Sequence, residues 1–360
     1  MKILLFVDKL YGGGAERVAS ILLNHLSERH QMSAVVFNDE RPTFPIKQTI
    51  KTQKITVDGG IRFLHPIERL IKIRKAITRN KPDLVISFMV NLNMYVLLAN
   101  VLSRTKTIVS EHIAMQTEQS LSKKITRHIL YRFASMVTFV SKSDFEYAKW
   151  INKKALIYNP LSYPITPYFH KEKYIIAIGP QKRWQAKGFD MLIQVWAKIA
   201  PSHPEWKLQF VGANNSNYIS HLVETYGLEK RVDFLGWTNE IDKVLRSKSI
   251  YILSSRREGF PCSLIEAMSQ GCACLAFDCK TGPNEIITNG KSGLLARNGD
   301  IDDLAKKLQL LIEDENIRLN LSAGAVEEVK RFEKSVILQQ WDKLIEEVTR
   351  SDKKIQVRHL

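Results

Sequence analysis

Two carboxylates, Glu258 and Glu266, flank the seven residues Gly259-Phe260-Pro261-Cys262-Ser263-Leu264-Ile265. The apolar run Ser249-Ile250-Tyr251-Ile252-Leu253-Ser254 before them has the length and branching of a buried strand. After it, Ile265 and Met268, with the small Ala267 and Ser269, read as a helix that stops at Gly271. The pair therefore brackets a strand-to-helix junction, with Pro261 close to the first turn, where proline is tolerated. Unpaired N–H groups at such a junction attract anions. A carboxylate cannot hold a phosphate, but it accepts hydrogen bonds from hydroxyls on either side of one. The chemistry that fits is a diphosphate carried between two polyols, as in a sugar nucleotide. A helix entry with two surface glutamates has the same spacing.

Other residues with chemical potential sit at similar junctions. Lys2 to Val7 reads as a first strand, followed by a turn holding Gly12, Gly13 and Gly14 and by a helix from Ala15. Consecutive glycines let a backbone approach a ligand closely at a helix start. A dinucleotide fingerprint is the rival, with Asp39 as its ribose acceptor, but the third glycine is replaced by Arg17. Ile108-Val109-Ser110-Glu111-His112 places a histidine just past a strand end, where open α/β sheets bind ligands. Gly179-Pro180-Gln181-Lys182-Arg183-Trp184-Gln185-Ala186-Lys187-Gly188 follows the strand Tyr174 to Ile178, and cations there can stabilise a departing diphosphate. Asp300-Ile301-Asp302 imitates a D-x-D metal motif, yet it opens a helix and helix capping accounts for it. No essential metal or cofactor is expected.

Length and composition fix the frame. A chain of 360 residues, 44% hydrophobic, suits two α/β domains. Strand–helix pairs run to Ala155-Leu156-Ile157, and Asn159-Pro160, Pro164 and Pro167 read as a linker. Leu84 to Ser103 carries no charge, but Asn91, Asn93 and Asn100 make it a buried strand and helix rather than a membrane span. No leader peptide is visible at Met1 to Val7. Cys262, Cys272, Cys274 and Cys279 lack the paired spacing of a zinc site and read as reduced thiols.

The motifs together resemble the retaining, GT-B-fold glycosyltransferases with the E-x7-E signature (family 4, group 1). The resemblance rests on Glu258-Gly259-Phe260-Pro261 with Leu264 and Glu266, on Thr281-Gly282-Pro283-Asn284-Glu285, on Asn289-Gly290-Lys291-Ser292-Gly293-Leu294-Leu295, and on the amino-terminal Gly12–Arg17 and Ser110–His112 stretches. It runs from about residue 1 to about 348 and is similar to the branch that builds bacterial surface polysaccharides and lipid-linked oligosaccharides. It implies two Rossmann-like domains facing across a cleft, 1–165 for the acceptor and 170–335 for the nucleotide sugar, with a helix from about 336–360 returning to the first. It implies that Glu266 holds the ribose. Glu258 with Gly259 and Phe260 would hold the sugar hydroxyls, beside Pro261. Lys187 and either Arg183 or Lys182 would hold the diphosphate, aided by the helix entry at Ser263 and Leu264. Trp237 would lie near the base, His112 would face the donor sugar, and Gly12, Gly13 and Gly14 would hold the acceptor or its phosphate. Where the family has an acidic glycine turn this chain has Gly212-Ala213-Asn214. The implied donor is a UDP-linked hexose or N-acetylhexosamine, and the implied acceptor a lipid-linked saccharide. The alternatives are a non-transferring sugar-nucleotide epimerase and a non-enzymatic polyanion-binding protein.

Charge suggests a further partner. The chain carries +16, of which residues 1–170 hold 25 Lys/Arg against 12 Asp/Glu, or +13. Within 67–79, Ile67, Leu70, Ile71 and Ile77 alternate with Arg69, Lys72, Lys75 and Arg79. Within 121–133, Leu121, Ile125, Ile129 and Phe133 stand against Lys123, Lys124, Arg127 and Arg132. Two basic amphipathic helices in one domain point to an anionic membrane surface, and so to a cytoplasmic protein peripheral on the inner face. No nucleic-acid motif accompanies them.

Overall fold

A computed structural model describes residues 1–37, 44–56, 65–101, 103, 105–116, 120–167, 171–213 and 218–350. Asp39 and Asn214 lie outside these residues. The chain forms two compact units, 1–160 with 334–360, and 161–333.

In the first unit, β1 (Lys2–Phe6), β2 (Gln31–Val36), β3 (Lys51–Lys54), β4 (Leu84–Phe88), β5 (Lys106–Glu111), β6 (Met136–Phe139) and β7 (Lys154–Leu156) form one sheet. Its order is β3-β2-β1-β4-β5-β6-β7, and every pairing is parallel. The helices are α1 (Gly14–Leu26), α2 (His65–Asn80), α3 (Val90–Asn100), α4 (Leu121–His128) and α5 (Lys142–Tyr147). A parallel sheet is covered on both faces, so its strands are apolar on both. Ile3, Leu5, Ile86 and Phe88 join one core with Leu22 and Leu26 of α1. Leu4, Phe6 and Val85 join another with Ile73 and Ile77 of α2 and Val96 of α3. Strand order reverses between β1 and β4, so ligands are expected beyond the carboxyl ends of those strands.

In the second unit, β8 (Glu172–Ile178), β9 (Lys207–Val211), β10 (Val232–Leu235), β11 (Lys248–Leu253), β12 (Ala273–Asp278) and β13 (Leu294–Arg297) form a parallel sheet ordered β10-β9-β8-β11-β12-β13. Its helices are α6 (Trp184–Lys187), α7 (Phe189–Ile199), α8 (Tyr218–Thr225), α9 (Ile241–Ser247), α10 (Cys262–Ser269), α11 (Pro283–Ile286), α12 (Ile301–Glu313) and α13 (Glu315–Val329). Here the order reverses between β8 and β11. The last helix, α14 (Lys334–Arg350), packs Ile337, Trp341, Leu344, Ile345 and Val348 into the first unit's core.

The division falls after Pro160, where the resemblance implied 165 to 170. Leu161 N–H donates to Phe332 O at 2.7 Å, Thr166 N–H to Ser269 O at 3.0 Å, and Gln270 Nε2 to Pro164 O at 2.9 Å. The stretch read as a linker is thus bound to the second unit.

The two basic helices need correcting. Residues 121–133 are α4 followed by a separate 3-10 turn, Leu130–Phe133. Their apolar residues face outward: Leu121 is 73% exposed, Ile125 41%, Ile129 54% and Phe133 64%. Arg127, expected on the basic surface, is 1% exposed. Its Nε donates to Glu111 Oε2 at 2.9 Å, and Tyr131 Oη donates to the same oxygen at 2.8 Å. A desolvated guanidinium needs a carboxylate, and β5 supplies one. In α2, Ile67 and Ile71 are likewise exposed. Arg69 is held by Asp8 at 3.3 Å and lies over the rings of Phe37 and Tyr95, so it is not part of a free basic face. Among the described residues, no helix is long and apolar enough to cross a membrane.

Candidate active site

The second unit gathers its candidates where β8 and β11 end side by side. The loop after β8 is a 3-10 turn, Gln181–Arg183, running into α6 and Gly188. Gly188 has φ +63°, and a Cβ there would lie 1.9 Å from Ser254 O, so only glycine lets this loop cross the end of β11. The crossing is tied down. Ser254 Oγ donates to Lys187 O at 2.8 Å, Arg256 N–H to Ala186 O at 3.0 Å, and the Arg256 guanidinium grips both Asp190 oxygens at 2.7 Å.

This clasp brings Lys187 to Glu258. Lys187 Nζ lies 2.8 Å from Glu258 Oε1, and Ser255 Oγ donates to the same oxygen at 2.6 Å. Both charged side chains are mostly buried, and Thr281 Oγ1 donates to Glu258 O. Pro261 caps α10 without a side-chain hydrogen bond, and the first helical turn begins at Cys262 and Ser263. Glu266 is buried one turn further along. Tyr251 on β11 reaches the start of α10: its hydroxyl meets Ser263 Oγ at 2.7 Å. Burial first, and then the Glu258 and Glu266 charges, hold that phenol well above its usual range, so it stays protonated. Phe260 packs edge-on against Phe332 at 5.4 Å, which fixes the loop, and Leu264 is wholly buried.

The other expected contacts are not drawn together in this way. Lys182 and Arg183 both stand exposed, with no carboxylate partner among the described residues. Trp237 is 61% exposed just beyond β10, where Gly212 N–H reaches Leu235 O and Gly236 O. Trp184 stacks on Tyr218 at 4.3 Å nearby in sequence to Arg183. Asp300 caps α12 by accepting from Asp303 N–H at 2.9 Å, while Asp302 pairs with Lys198. Among the described residues no group of three or more His, Cys, Asp or Glu could hold a metal ion. The four cysteines are free thiols.

In the first unit, Gly13 caps α1 and Gly12 has φ +77°. A Cβ on Gly13 would fall 2.0 Å from Glu16 Oε2, so the α1 entry carries its own carboxylate folded back over it. His112 stacks on Phe88 at 5.0 Å, and Phe88 stacks in turn on Trp341 at 6.3 Å. Thr138 Oγ1 donates to Ser110 Oγ at 2.8 Å, and Ser110 Oγ meets His112 Nε2 at 2.9 Å. That direction lets Ser110 donate to Nε2 and leaves the ring proton on Nδ1, which is buried without a partner. Burial pushes the imidazole down to about 3, so it is neutral. Met89, which follows Phe88 and precedes α3, has φ +76°, a strained conformation, and its N–H donates to Ser110 O at 3.1 Å.

Sequence reasoning missed Ser254, Ser255, Tyr251, Thr281 and the Arg256–Asp190 clamp. Ser254-Ser255 directly after an apolar strand was the one available signal. The rest depend on partners 66 positions away for Arg256–Asp190 and 23 for Thr281–Glu258.

Comparison with known proteins gives the family and the fold. A family model described as Glycosyl transferases group 1 matches residues 165–328, and one described as Glycosyltransferase Family 4 matches 12–161. The chain is 28% identical over 363 residues to the Campylobacter jejuni GalNAc-alpha-(1->4)-GalNAc-alpha-(1->3)-diNAcBac-PP-undecaprenol alpha-1,4-N-acetyl-D-galactosaminyltransferase, covering 97% of this chain and 99% of that one. It is 25% identical to the amylovoran biosynthesis glycosyltransferase AmsD of Erwinia amylovora, covering 96% and 99%. Among solved structures, Anabaena HepE in complex with UDP and glucose superposes with a TM-score of 0.83 at 21% identity, covering 96% of this chain and 100% of that one. The apo lipopolysaccharide outer core galactosyltransferase WaaB gives 0.73 at 20% identity, covering 96% and 99%. The shared fold is GT-B.

Proposed function

Since the chain belongs to the group 1 glycosyl transferases, with a family 4 amino-terminal half, and is therefore a glycosyltransferase, we propose that it is a retaining enzyme. It moves a hexose or N-acetylhexosamine from a UDP-linked donor to a lipid-linked saccharide during surface-polysaccharide synthesis. The observation that carries this reading is the meeting of Lys187 and Glu258 at 2.8 Å, at the β8/β11 switch point and beside the α10 entry. There a fixed cation and the helix entry can take a diphosphate, while Glu258 and the buried Glu266 accept hydroxyls on its two sides. Arg183, exposed on the same loop, adds charge to the leaving phosphate. The support for an acceptor on a lipid diphosphate is the PP-undecaprenol named for the Campylobacter relative.

In the reaction the acceptor oxygen bonds to the anomeric carbon as the bond from that carbon to the β-phosphate oxygen breaks. The acceptor's proton passes to the departing phosphate on the same face. Lys187 and the α10 N–H groups stabilise the charge that grows on the diphosphate. His112, neutral and with a free Nδ1–H, serves as a hydrogen-bond donor to a substrate hydroxyl, not as a base. Gly12, Gly13 and Gly14 leave the acceptor room at α1, where Glu16 must swing aside. Trp237 lies against the base.

The apolar stripe Leu121, Ile125, Ile129 and Phe133, beside exposed Lys124, His128 and Arg132, supports shallow insertion into an anionic cytoplasmic leaflet.

The test divides the donor. Glu266→Ala should weaken UDP binding about tenfold or more, since ribose hydroxyls lose a charged acceptor. Glu258→Gln should bind UDP almost normally yet transfer far more slowly. Unchanged UDP affinity in a folded Glu266→Ala variant would sink the assignment.

A further inference from the structure

Phe88, Ser110 and Thr138 stand in register across β4, β5 and β6, so their side chains form one row on one face of the first unit's sheet. All three are buried at the carboxyl ends of their strands. His112, two positions after Ser110, closes on this row: its ring stacks on Phe88 at 5.0 Å and its Nε2 meets Ser110 Oγ at 2.9 Å. The backbone beneath is tied, since Ser110 O accepts from Met89 N–H and from Asn93 Nδ2, each at 3.1 Å. What remains to be settled in the row is where two hydroxyl protons go. Thr138 Oγ1 donates to Ser110 Oγ at 2.8 Å and has no other acceptor among the described residues. The Ser110 proton is therefore not needed between the two hydroxyls, and it turns to Nε2. The opposite arrangement, with a proton on Nε2, would bury both the Ser110 proton and the Nδ1 lone pair without partners among the described residues. With the ring proton on Nδ1, that N–H alone is left over.

We infer that Thr138 is a positioning residue for transfer: by donating to Ser110 it directs the serine proton onto His112 Nε2, and so fixes the tautomer in which Nδ1–H is offered to a substrate hydroxyl. This rests on the reading of His112 under the proposed function. Thr138 itself is buried and acts only through the two side chains above it. Its hydroxyl sets whether the ring nitrogen without a protein partner gives or accepts a hydrogen bond. Valine in its place has the same shape and no proton. Ser110 Oγ then loses its donor and accepts from Nε2–H as readily as it donates to Nε2. The ring divides between two tautomers, and in one of them Nδ1 presents a lone pair where the substrate needs a donor. Thr138→Ser keeps the donating hydroxyl. Burial already holds the imidazole neutral, so the variable left to the row is the tautomer and not the charge.

Nuclear magnetic resonance of the full chain, labelled at its histidine ring nitrogens, reads the tautomer directly, because protonated and bare ring nitrogens resonate far apart. The His112 signals are those missing from His112→Gln. The parent and Thr138→Ser should carry the proton on Nδ1, and Thr138→Val should show a mixture. Release of UDP from UDP-glucose, UDP-galactose and their N-acetyl forms is then followed. With whichever of these turns over, Thr138→Val should lower kcat about threefold to tenfold at unchanged UDP affinity, the scale of one hydrogen bond, and Thr138→Ser should restore it. Ser110→Ala, which removes the bond to Nε2 outright, supplies the same two readouts if Thr138→Val does not fold. A parent spectrum with the proton on Nε2, or a Thr138→Val spectrum like the parent's, overturns the inference. So does a changed tautomer with kcat unchanged. Failure of the proposed donor looks different: the parent releases UDP from none of the four sugar nucleotides, and the spectra still decide the role of Thr138.

Discussion

His112 and Asp144 are titratable groups that burial shifts in opposite protonation senses. Asp144 accepts from Met115 N–H at 3.0 Å, and burial is the main cause that raises it to about 6, with Glu111 adding to the rise. A carboxyl raised above its unfolded value stabilises the fold fully only below about pH 4, and that contribution is lost as the pH climbs through about 6. Asp144→Asn keeps the acceptor and removes the titration. Its stability relative to the parent should therefore improve by roughly 3 kcal/mol between pH 4 and 7 and level off above. Urea melts across that range check this, and parallel curves for the two proteins would refute it. For His112, lowered to about 3, the contribution is full above pH 6.5 and is lost as the pH falls toward 3. His112→Gln should accordingly close its stability gap with the parent under acid. His112 stood out in the sequence as a site candidate, but neither its burial nor that of Asp144 could be read there. Asp144 in Ser141-Lys142-Ser143-Asp144 reads only as an early helical position, and its environment comes from Met115 and Glu111, far along the chain.

At the scale of elements, hydrophobic spacing located the strands and helices but not the direction each stripe faces. Leu121, Ile125, Ile129 and Phe133 recur every four residues, as a core-facing stripe would, yet they are exposed. What turns the helix over is Arg127, which must reach Glu111 on β5, a demand that no window of local sequence contains. The Glu258–Glu266 junction was legible because strand, turn and helix start are consecutive. Its pairing with Lys187 was not, since that depends on two loops crossing at Gly188. A separation of function follows. Leu121→Ser, Ile125→Ser, Ile129→Ser and Phe133→Ser together should abolish binding to anionic vesicles. Leu121→Ser and Phe133→Ser, at the two most exposed positions, should each cost less than Ile125→Ser, which gives up the most buried area of the four. Arg127→Gln should instead cost about 3–5 kcal/mol by stranding Glu111, measurable as a lowered denaturation midpoint. Vesicle binding retained by the quadruple serine variant would remove the membrane role of α4.

For the whole molecule, the two units differ in how the chain builds them. Unit 161–333 is one continuous stretch and carries Lys187, Glu258, Glu266 and Trp237. Expressed alone it should fold and bind UDP, with no loss in the presence of a chelator, as the proposed diphosphate site of Lys187, Arg183 and the α10 entry requires. A chelator-sensitive affinity restored by Mn²⁺ would count against that. Unit 1–160 lacks Ile337, Trp341, Leu344, Ile345 and Val348 until α14 arrives, so a chain ending at Glu333 should show a melted amino-terminal half beside a native carboxyl-terminal one. The same layout sets a timetable at the ribosome. At about 5–20 residues per second, the 1–160 segment waits on the order of ten seconds or longer for the helix that closes its core. Through that interval the nascent chain shows both an unfinished core and the outward apolar stripe of α4. During synthesis the amino-terminal half is therefore the segment most in need of a chaperone or of the membrane itself, and the second half of the protein is the first to finish.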